Sequence, residues 1–477
     1  MANLPVPGPE LSDRPPVGEA DRAAEVVAAA LPAEVGRILQ TLWNGGHAAY
    51  VVGGGPRDAL LRRQTSDWDL ATSALPEQTA ALFADAVYEN TFGTVAVPGA
   101  QITTFRSDHD YADFRRPHHV EFTTSIDADL ARRDFTINAL AWGRAADAAK
   151  PGLVDRYAGL VDLDARLIRA VGDPRKRFEE DALRIIRAIR LAATLGLTIE
   201  PGTLDAIRAT APLIGHLSGE RIAAELSRIL AADRPSVGLA LLADTGALAA
   251  ISPDLAAQRG VAQNKIPGED LWDHTLRTVD AAAARPALRL AALLHDIGKP
   301  ATAGEGHFYR HEVVGAELAA ALLDRLHMPR ATTGAVVHLV RQHMFRYEPS
   351  WSDAAVRRFL GKVQPAAIED VFALRAADNV GSGVPPDADD LSVLRDRVAR
   401  ELASGPLLDR SALAIDGDDV MGALGLAPGP EVGRVLDAVF ERVVDEPNLN
   451  QREALLALAL EVVSEPVRPR PDADPRQ

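Results

Sequence analysis

VVGGGPRDALL at residues 51–61 and, after residues 62–66, DWDLAT at 67–72 decide how the first third of this chain is read. An apolar run leads into three glycines, and a helix-like stretch follows. Glycines let a backbone approach a phosphate closely and leave its N–H groups free to bind it. Pro56 suits the first turn of the next helix, and Arg57 adds a charge-assisted hydrogen bond to a phosphate oxygen. Asp67 and Asp69 stand two apart in a β-type run, so on a strand both carboxylates project from one face. Two carboxylates so placed bind a pair of hard divalent cations roughly 3.5–4 Å apart, the arrangement that activates an attacking hydroxyl and a leaving pyrophosphate. A glycine cluster alone is an ordinary turn, and a lone Asp-x-Asp is a solvated acidic turn. The two in this order, one short helix apart, point to phosphoryl chemistry.

Outward from this stretch, short β-type runs recur at 48–54, 67–72, 94–99, 101–106 and 119–124, with helical patterns between them. Residues 21–170 therefore read as a mixed α and β block. The chain turns helical from about 171, which predicts further all-helical blocks at 171–250, 251–385 and 386–464. Residues 1–20 and 465–477, rich in proline and charge, read as disordered tails.

The chain has 477 residues, too many for one ordinary domain, and a formal charge of −16. Net charge does not announce a nucleic-acid partner, but a local basic groove serves in an acidic protein. Cysteine is absent, which excludes disulfides and thiolate metal sites and leaves Asp, Glu, His and carbonyls as ligands. No signal peptide and no uncharged apolar run of spanning length is found, so the expectation is a cytoplasmic protein with no membrane partner.

RFEEDALRIIRAIRLAATLG at 177–196 has helical periodicity and a stop-like glycine. On a wheel of 181–191, Ala182, Ile185, Ile186 and Ile189 share one flank, and Arg184, Arg187 and Arg190 share the other with Leu183 and Leu191. Arg184 has Glu180 and Asp181 one turn back. Arg187 and Arg190 have no acid at three or four residues, so they are expected to be unpaired and to meet an anion.

VVGGGPRDALLRRQTSDWDLATSALPE resembles the signature of the class II tRNA nucleotidyltransferases and their poly(A) polymerase relatives. The likeness extends over most of 46–235. It implies an α+β fold: a small polymerase-β-like nucleotidyltransferase head, a mixed sheet with helices, followed by all-α neck, HD and C-terminal domains. By this resemblance Gly54 and Arg57 contact the incoming triphosphate, while Asp67 and Asp69 hold two Mg²⁺ ions. ITTFRSDHDYADFRRPHHVEF (102–122) is similar to the family's strand–loop–strand, with a polar loop at 107–119. DADLARRDFTINALAW (127–142) is similar to its Arg-Arg-Asp-Phe-Thr motif. Arg132 and Arg133 are placed at triphosphate or ribose without a ranking, and Asp134 supports the site or caps a helix starting near Thr136.

The motif Glu180-Asp181-Ala182-Leu183-Arg184 is similar to the family's base reader. C and A both offer an amino donor beside a ring-nitrogen acceptor, so an Asp accepting and an Arg donating select them. G and U would leave a buried carboxylate facing an oxygen. Asp181 and Arg184 carry over to this role, with Arg187 and Arg190 holding phosphates. SGERIAAELSRIL (218–230) is similar to the next motif, in which Glu220, Arg221 and Glu225 brace the neck and Ser218 is a plausible N-cap.

Histidines cluster in LWDHTLRTV (271–279), AALLHDIGKP (291–300), GHFYRHEVVGAE (306–317) and VRQHM (340–344), with ALRAADN (373–379) beyond. An adjacent His-Asp pair offers two ligands to one cation. The series resembles the HD domain, a helical metal-dependent phosphohydrolase. That implies His274, His295, Asp296 and Asp378 as ligands of a divalent metal, with His311 and His343 completing a second site.

Together these readings predict a CCA-adding tRNA nucleotidyltransferase taking CTP and ATP. Poly(A) polymerase and CC-only or A-only enzymes are the near alternatives. An HD phosphohydrolase with a nucleotide-sensing head is the alternative from another class.

Overall fold

A computed structural model describes residues 20–464 except 66, 91–92, 112–116, 264 and 305–306. The expected tails fall outside these residues, apart from Ala20. The chain forms two compact units. One comprises residues up to Arg259 together with Ala321–Pro329, and the other Gly260–Ala320 with the residues from Arg330 onward.

The first unit is built on a seven-stranded mixed sheet, confirming the α+β class. Its strands are β1 (Ala49–Val52), β2 (Asp69–Thr72), β3 (Val87–Asn90), β4 (Thr94–Val97) and β5 (Ala100–Thr104), with β8 (Leu140–Arg144) and β9 (Gly152–Asp155). The order is β3-β4-β5-β2-β1-β8-β9. Within this sheet, among the described residues, only the β2–β5 pairing is parallel. β1 is central and buried at all four residues. In register, Tyr50 faces Ala71 and Val52 faces Asp69. One sheet face carries Tyr50, Val52, Ala71 and Ala141 into a cluster with Phe105 and Leu130. Full burial of a ring such as Phe105 stabilises by about 1.5–3 kcal/mol. Asp69 stands at the open end of that same face, where apolar packing gives way to polar groups.

Three local readings need correction. The polar stretch 107–119 is more strand than loop: β6 (Arg106–Tyr111) and β7 (Pro117–Phe122) pair antiparallel, and residues 112–116 lie outside the described residues. Thr136 begins only a 3₁₀ turn, Thr136–Asn138, before the chain enters β8. A short apolar run fits a buried strand as well as a helix, and the pairing of β8 with β1 decides it. Third, 177–196 is not one helix. Helices Pro174–Glu180 and Leu183–Leu195 are separated at Asp181, whose backbone is extended (φ −147°, ψ 104°). The Asp181 carboxylate accepts from the Leu183 N–H at 3.0 Å, supplying a partner to an otherwise unpaired donor at the new helix start. Gly196 ends that helix in the left-handed conformation, as its position predicted.

Among the described residues the second unit is helical apart from an antiparallel pair of two-residue strands, Ala303–Gly304 and His307–Phe308, and an isolated bridge between Ala262 and Asp270. Helices Leu271–Ala281, Pro286–Leu294 and Ile368–Gly381 pack around a buried polar centre. Its C-terminal part packs Val435, Val439 and Val443 of one helix against Leu455 and Ala459 of the next. No helix among the described residues is long and apolar enough to cross a membrane.

Candidate functional site

β1 delivers the chain into Gly53, which sits at φ 76°, ψ −125°, a conformation favouring glycine. A side chain there would also point at Arg133, with Nη1 3.2 Å from the Cβ position. Gly55 is constrained from the other side, because its Cβ position lies 2.7 Å from the Trp68 ring. Trp68 is buried between the two acidic residues, so the glycine turn packs directly on the Asp-x-Asp segment.

Gly53, Gly54, Arg57, Asp67, Asp69 and Arg133 line a cavity of about 350 Å³ together with Arg187, Arg190 and Arg228. The expectation that both acids sit on a strand is corrected: Asp69 opens β2, and Asp67 lies in the loop before it. Both still face the same cavity. Crowding by protein raises the Asp69 pKa, and repulsion from Asp67 adds to this, while Arg133 and Arg187 oppose it. A carboxylate pair held against its own repulsion is the donor set that a hard divalent cation stabilises.

The arginines expected to be unpaired have partners from outside their helix. Arg187 Nη2 lies 2.7 Å from Asp134 Oδ2, and Arg190 Nε lies 2.6 Å from Glu225 Oε2. The wheel examined only one helix, and these acids arrive from 53 and 35 residues away in sequence. A guanidinium has five donor hydrogens, so a pairing does not remove either arginine from the cavity it lines.

Asp134 is the junction of this network. Arg57 Nη1 donates to Asn138 Oδ1 at 2.6 Å, and Asn138 Nδ2 donates to Asp134 Oδ1 at 3.0 Å. Arg57 only donates and ionised Asp134 only accepts, which dictates the orientation of the amide between them. Burial would raise the Asp134 pKa, but Arg187 and Asn138 hold it well below the usual carboxylate range. Asn138, four residues past Asp134 in the same motif, is a linking residue that sequence reasoning missed.

A second cavity, about 240 Å³, is lined by Arg132, Arg133, Asp181, Arg184, Arg187 and Arg221 with two further residues. It shares Arg133, Asp134 and Arg187 with the first. Arg221 Nη2 holds both Asp181 oxygens, at 3.0 and 2.7 Å. Arg184 reaches Glu180 at 2.6 Å and donates to the Arg132 carbonyl at 2.9 Å. Ser218 precedes its helix but makes no side-chain cap bond. Glu225, three-hundredths exposed, serves Arg190 and Arg228.

In the second unit the predicted HD residues converge. His274, His295 and Asp378 form one buried trio whose ligand atoms lie within 4.8 Å of one another, and Asp296, His311 and His343 form another. Asp296 joins them. Its Oδ2 lies 3.1 Å from His295 Nε2 and 3.4 Å from His274 Nε2, and its Oδ1 lies 3.3 Å from His311 Nε2. The Nδ1 atoms of His295, His311 and His343 lie 2.9, 2.8 and 2.6 Å from carbonyls three residues earlier. Those carbonyls require Nδ1 to carry the proton, which leaves three Nε2 lone pairs aimed at the centre. Buried imidazole lone pairs around carboxylates fit a divalent cation.

This fold and these sites define a nucleotidyltransferase head of the poly(A) polymerase type carried with a helical HD unit. The poly A polymerase head domain family matches residues 49–169, the probable RNA and SrmB-binding site of polymerase A matches 196–259, and the HD domain matches 271–381. The CCA-adding enzyme of Geobacillus stearothermophilus is 32% identical over 437 residues, 89% of this chain and 95% of that protein. That of Levilactobacillus brevis is 34% identical over 431 residues, 88% and 95% of the two chains. The crystal structure of the Bacillus stearothermophilus CCA-adding enzyme in complex with CTP superposes with a TM-score of 0.67 at 30% identity, covering 90% of this chain and 97% of that one. The Thermotoga maritima CCA-adding enzyme complexed with tRNA shares the fold, with a TM-score of 0.56 at 17% identity and coverage of 93% and 98%. The chain belongs to the CCA-adding enzyme family.

Proposed function

We infer that this chain adds C, C and A to the 3′ end of tRNA from CTP and ATP without a nucleic-acid template. The carrying observation is that Asp67 and Asp69 line one cavity together with five arginines, Arg57, Arg133, Arg187, Arg190 and Arg228. An acid pair and several arginines lining one cavity match a magnesium triphosphate, whose metals would sit on Asp67 and Asp69. Bound Mg²⁺ would supply activation of the primer hydroxyl and stabilisation of the leaving oxygen. The primer 3′-oxygen forms a new bond to the α-phosphorus as the bond to pyrophosphate breaks.

Arg57, Arg133, Arg187 and Arg190 hold the triphosphate oxygens and neutralise charge on the departing pyrophosphate. Asp181 accepts from the amino group of C or A, and Arg184 donates to the neighbouring acceptors. Each is already held by another residue, so little side-chain freedom is lost on binding. Helical residues 171–250 act as the neck, and tRNA is read by shape and phosphate contacts. Such a reaction belongs in the cytoplasm.

The deciding experiment supplies tRNA lacking its terminal CCA with each single nucleotide and with CTP plus ATP, then sequences the products. Two C and one A, then a stop, is the expected product. An unlimited A tail from ATP alone would assign poly(A) polymerase instead.

A second reading is favoured by Asp296, which faces both histidine trios. The HD unit then hydrolyses phosphoesters with divalent metals bound there. Asp296→Ala should abolish that hydrolysis and spare nucleotide addition, while Asp67→Ala and Asp69→Ala do the reverse. A phosphohydrolase with a merely sensing head predicts no nucleotide addition at all.

A further inference from the structure

Of the five arginines lining the cavity of Asp67 and Asp69, one differs from the rest. Arg57, Arg133, Arg187 and Arg190 each have a carboxylate oxygen within 3.0 Å, and none of these side chains is more than 35% exposed. The Arg228 side chain is 62% exposed, and its acidic partner among the described residues is Glu225, whose Oε1 lies 3.5 Å from Nη1. The other oxygen of Glu225 is held by Arg190 at 2.6 Å. A long ion pair on an exposed side chain contributes little, so Arg228 changes partner at small cost.

The helix that carries it, Gly219–Leu230, explains its place. Arg221, Glu225 and Arg228 follow one another at spacings of four and three, which puts them on one helix face. Arg221 holds Asp181 and lines the second cavity, Glu225 holds Arg190, and Arg228 lines the first cavity but not the second. In the reading above, the base of the incoming nucleotide occupies the second cavity and its triphosphate lies against the four anchored arginines. The primer 3′-oxygen has to reach the α-phosphorus in the first cavity. The solvent-exposed arginine of that cavity is the one placed to meet a strand arriving from outside.

We propose that Arg228 binds a backbone phosphate of the RNA 3′ end rather than the triphosphate. This rests on the function proposed above. The triphosphate returns to the same place at every addition, which suits guanidiniums fixed by carboxylates. The primer lengthens by one nucleotide each time, so its end changes between additions. A long, exposed and loosely paired arginine follows such an end, and its planar fork still presents two donors to a phosphate. A phosphate contact also carries no base information, so it serves acceptor ends of different sequence alike.

The test uses the full-length chain and tRNAs ending before CCA, after C and after CC. Thermal midpoint, tRNA affinity across a salt series, CTP affinity without tRNA by calorimetry, and KM for tRNA and for CTP are measured. Arg228→Ala should weaken all three tRNAs by a similar factor, about 3- to 10-fold at low salt, and should lower the slope of log affinity against log salt by about 0.7 to 1. CTP affinity and KM for CTP should stay within about 2-fold of wild type, an energy difference of the order of thermal energy. Arg228→Lys, which keeps the charge, should recover most of the salt slope.

A folded Arg228→Ala variant with wild-type tRNA affinity and salt slope overturns the proposal. So does one whose CTP affinity falls as far as its tRNA affinity, which would place Arg228 at the triphosphate or make it a brace for Arg190 through Glu225. Should Arg228→Ala not fold, Arg228→Gln is judged by the same readouts. A wild-type chain that adds no C to tRNA ending before CCA would instead overturn the proposed function, so the two failures are distinguishable.

Discussion

Asp134 and Arg187 form a 2.7 Å ion pair between the end of the head's Arg-Arg-Asp motif and the helix that follows the head. Through Asn138 the same carboxylate is linked to Arg57 beside the glycine turn. The glycine turn and the arginine-bearing helix are thus tied by one short chain of hydrogen bonds, and a shift at either end is felt at the other.

That link sets a pH dependence. The Asp134 pKa is depressed in the folded state, so its stabilisation is fully present above the unfolded value and is lost as pH falls through the folded one. Asp134→Asn should cost about 1.5–3 kcal/mol at neutral pH, as expected for a charged hydrogen-bond partner. The gap between variant and wild type should narrow progressively from about pH 4 downward. Urea unfolding of both proteins at neutral and acidic pH checks this; a gap independent of pH contradicts it.

Asp67 and Asp69 share one task in the proposed mechanism, so their losses should not add. Either alanine variant should lower kcat for CTP addition by on the order of 10³-fold, and the double variant by little more. Single-turnover rates with CCA-less tRNA measure the three values. Multiplicative losses would mean the two carboxylates act independently.

Gly55 has no room for a methyl group against Trp68. Gly55→Ala should destabilise by about 1–3 kcal/mol through overpacking. It should also push the Asp67–Asp69 segment aside, at a cost to kcat on the order of 10²-fold. Trp68→Leu introduced alongside should restore part of both. The thermal midpoint and kcat of the single and double variants test the coupling, and strict additivity would refute it.

Asp296 faces both histidine trios, so its loss should empty both. Metal analysis after dialysis should find Asp296→Asn with no retained divalent ion, while His343→Ala loses only the share of its own trio. Should Asp296→Asn hold as much metal as wild type, the carboxylate is not the shared ligand.

Much of the site was legible because its chemistry is local in sequence. The glycines, Arg57, Asp67 and Asp69 fall within residues 53–69, and a strand followed by a tight turn and a short helix is specified by neighbouring residues alone. The Nδ1–carbonyl contacts of the HD histidines span only three residues, as in any helical turn. Strand β8 was not legible, since LAWGR fits a buried strand or a helix and only its pairing with β1 decides.

By itself the sequence determined which side chains were available and the local elements that carry most of them: the glycine turn, the acid pair, the arginine-bearing helix and the His-Asp step. Tertiary structure decided what those side chains touch. Arg187 and Arg190 looked free because a helical wheel sees neighbours three or four residues away. Asp134 and Glu225 reach them across 53 and 35 residues, through packing that no local period encodes. The break at Asp181 has the same origin: Arg221, brought by the fold across 40 residues of sequence, holds its carboxylate.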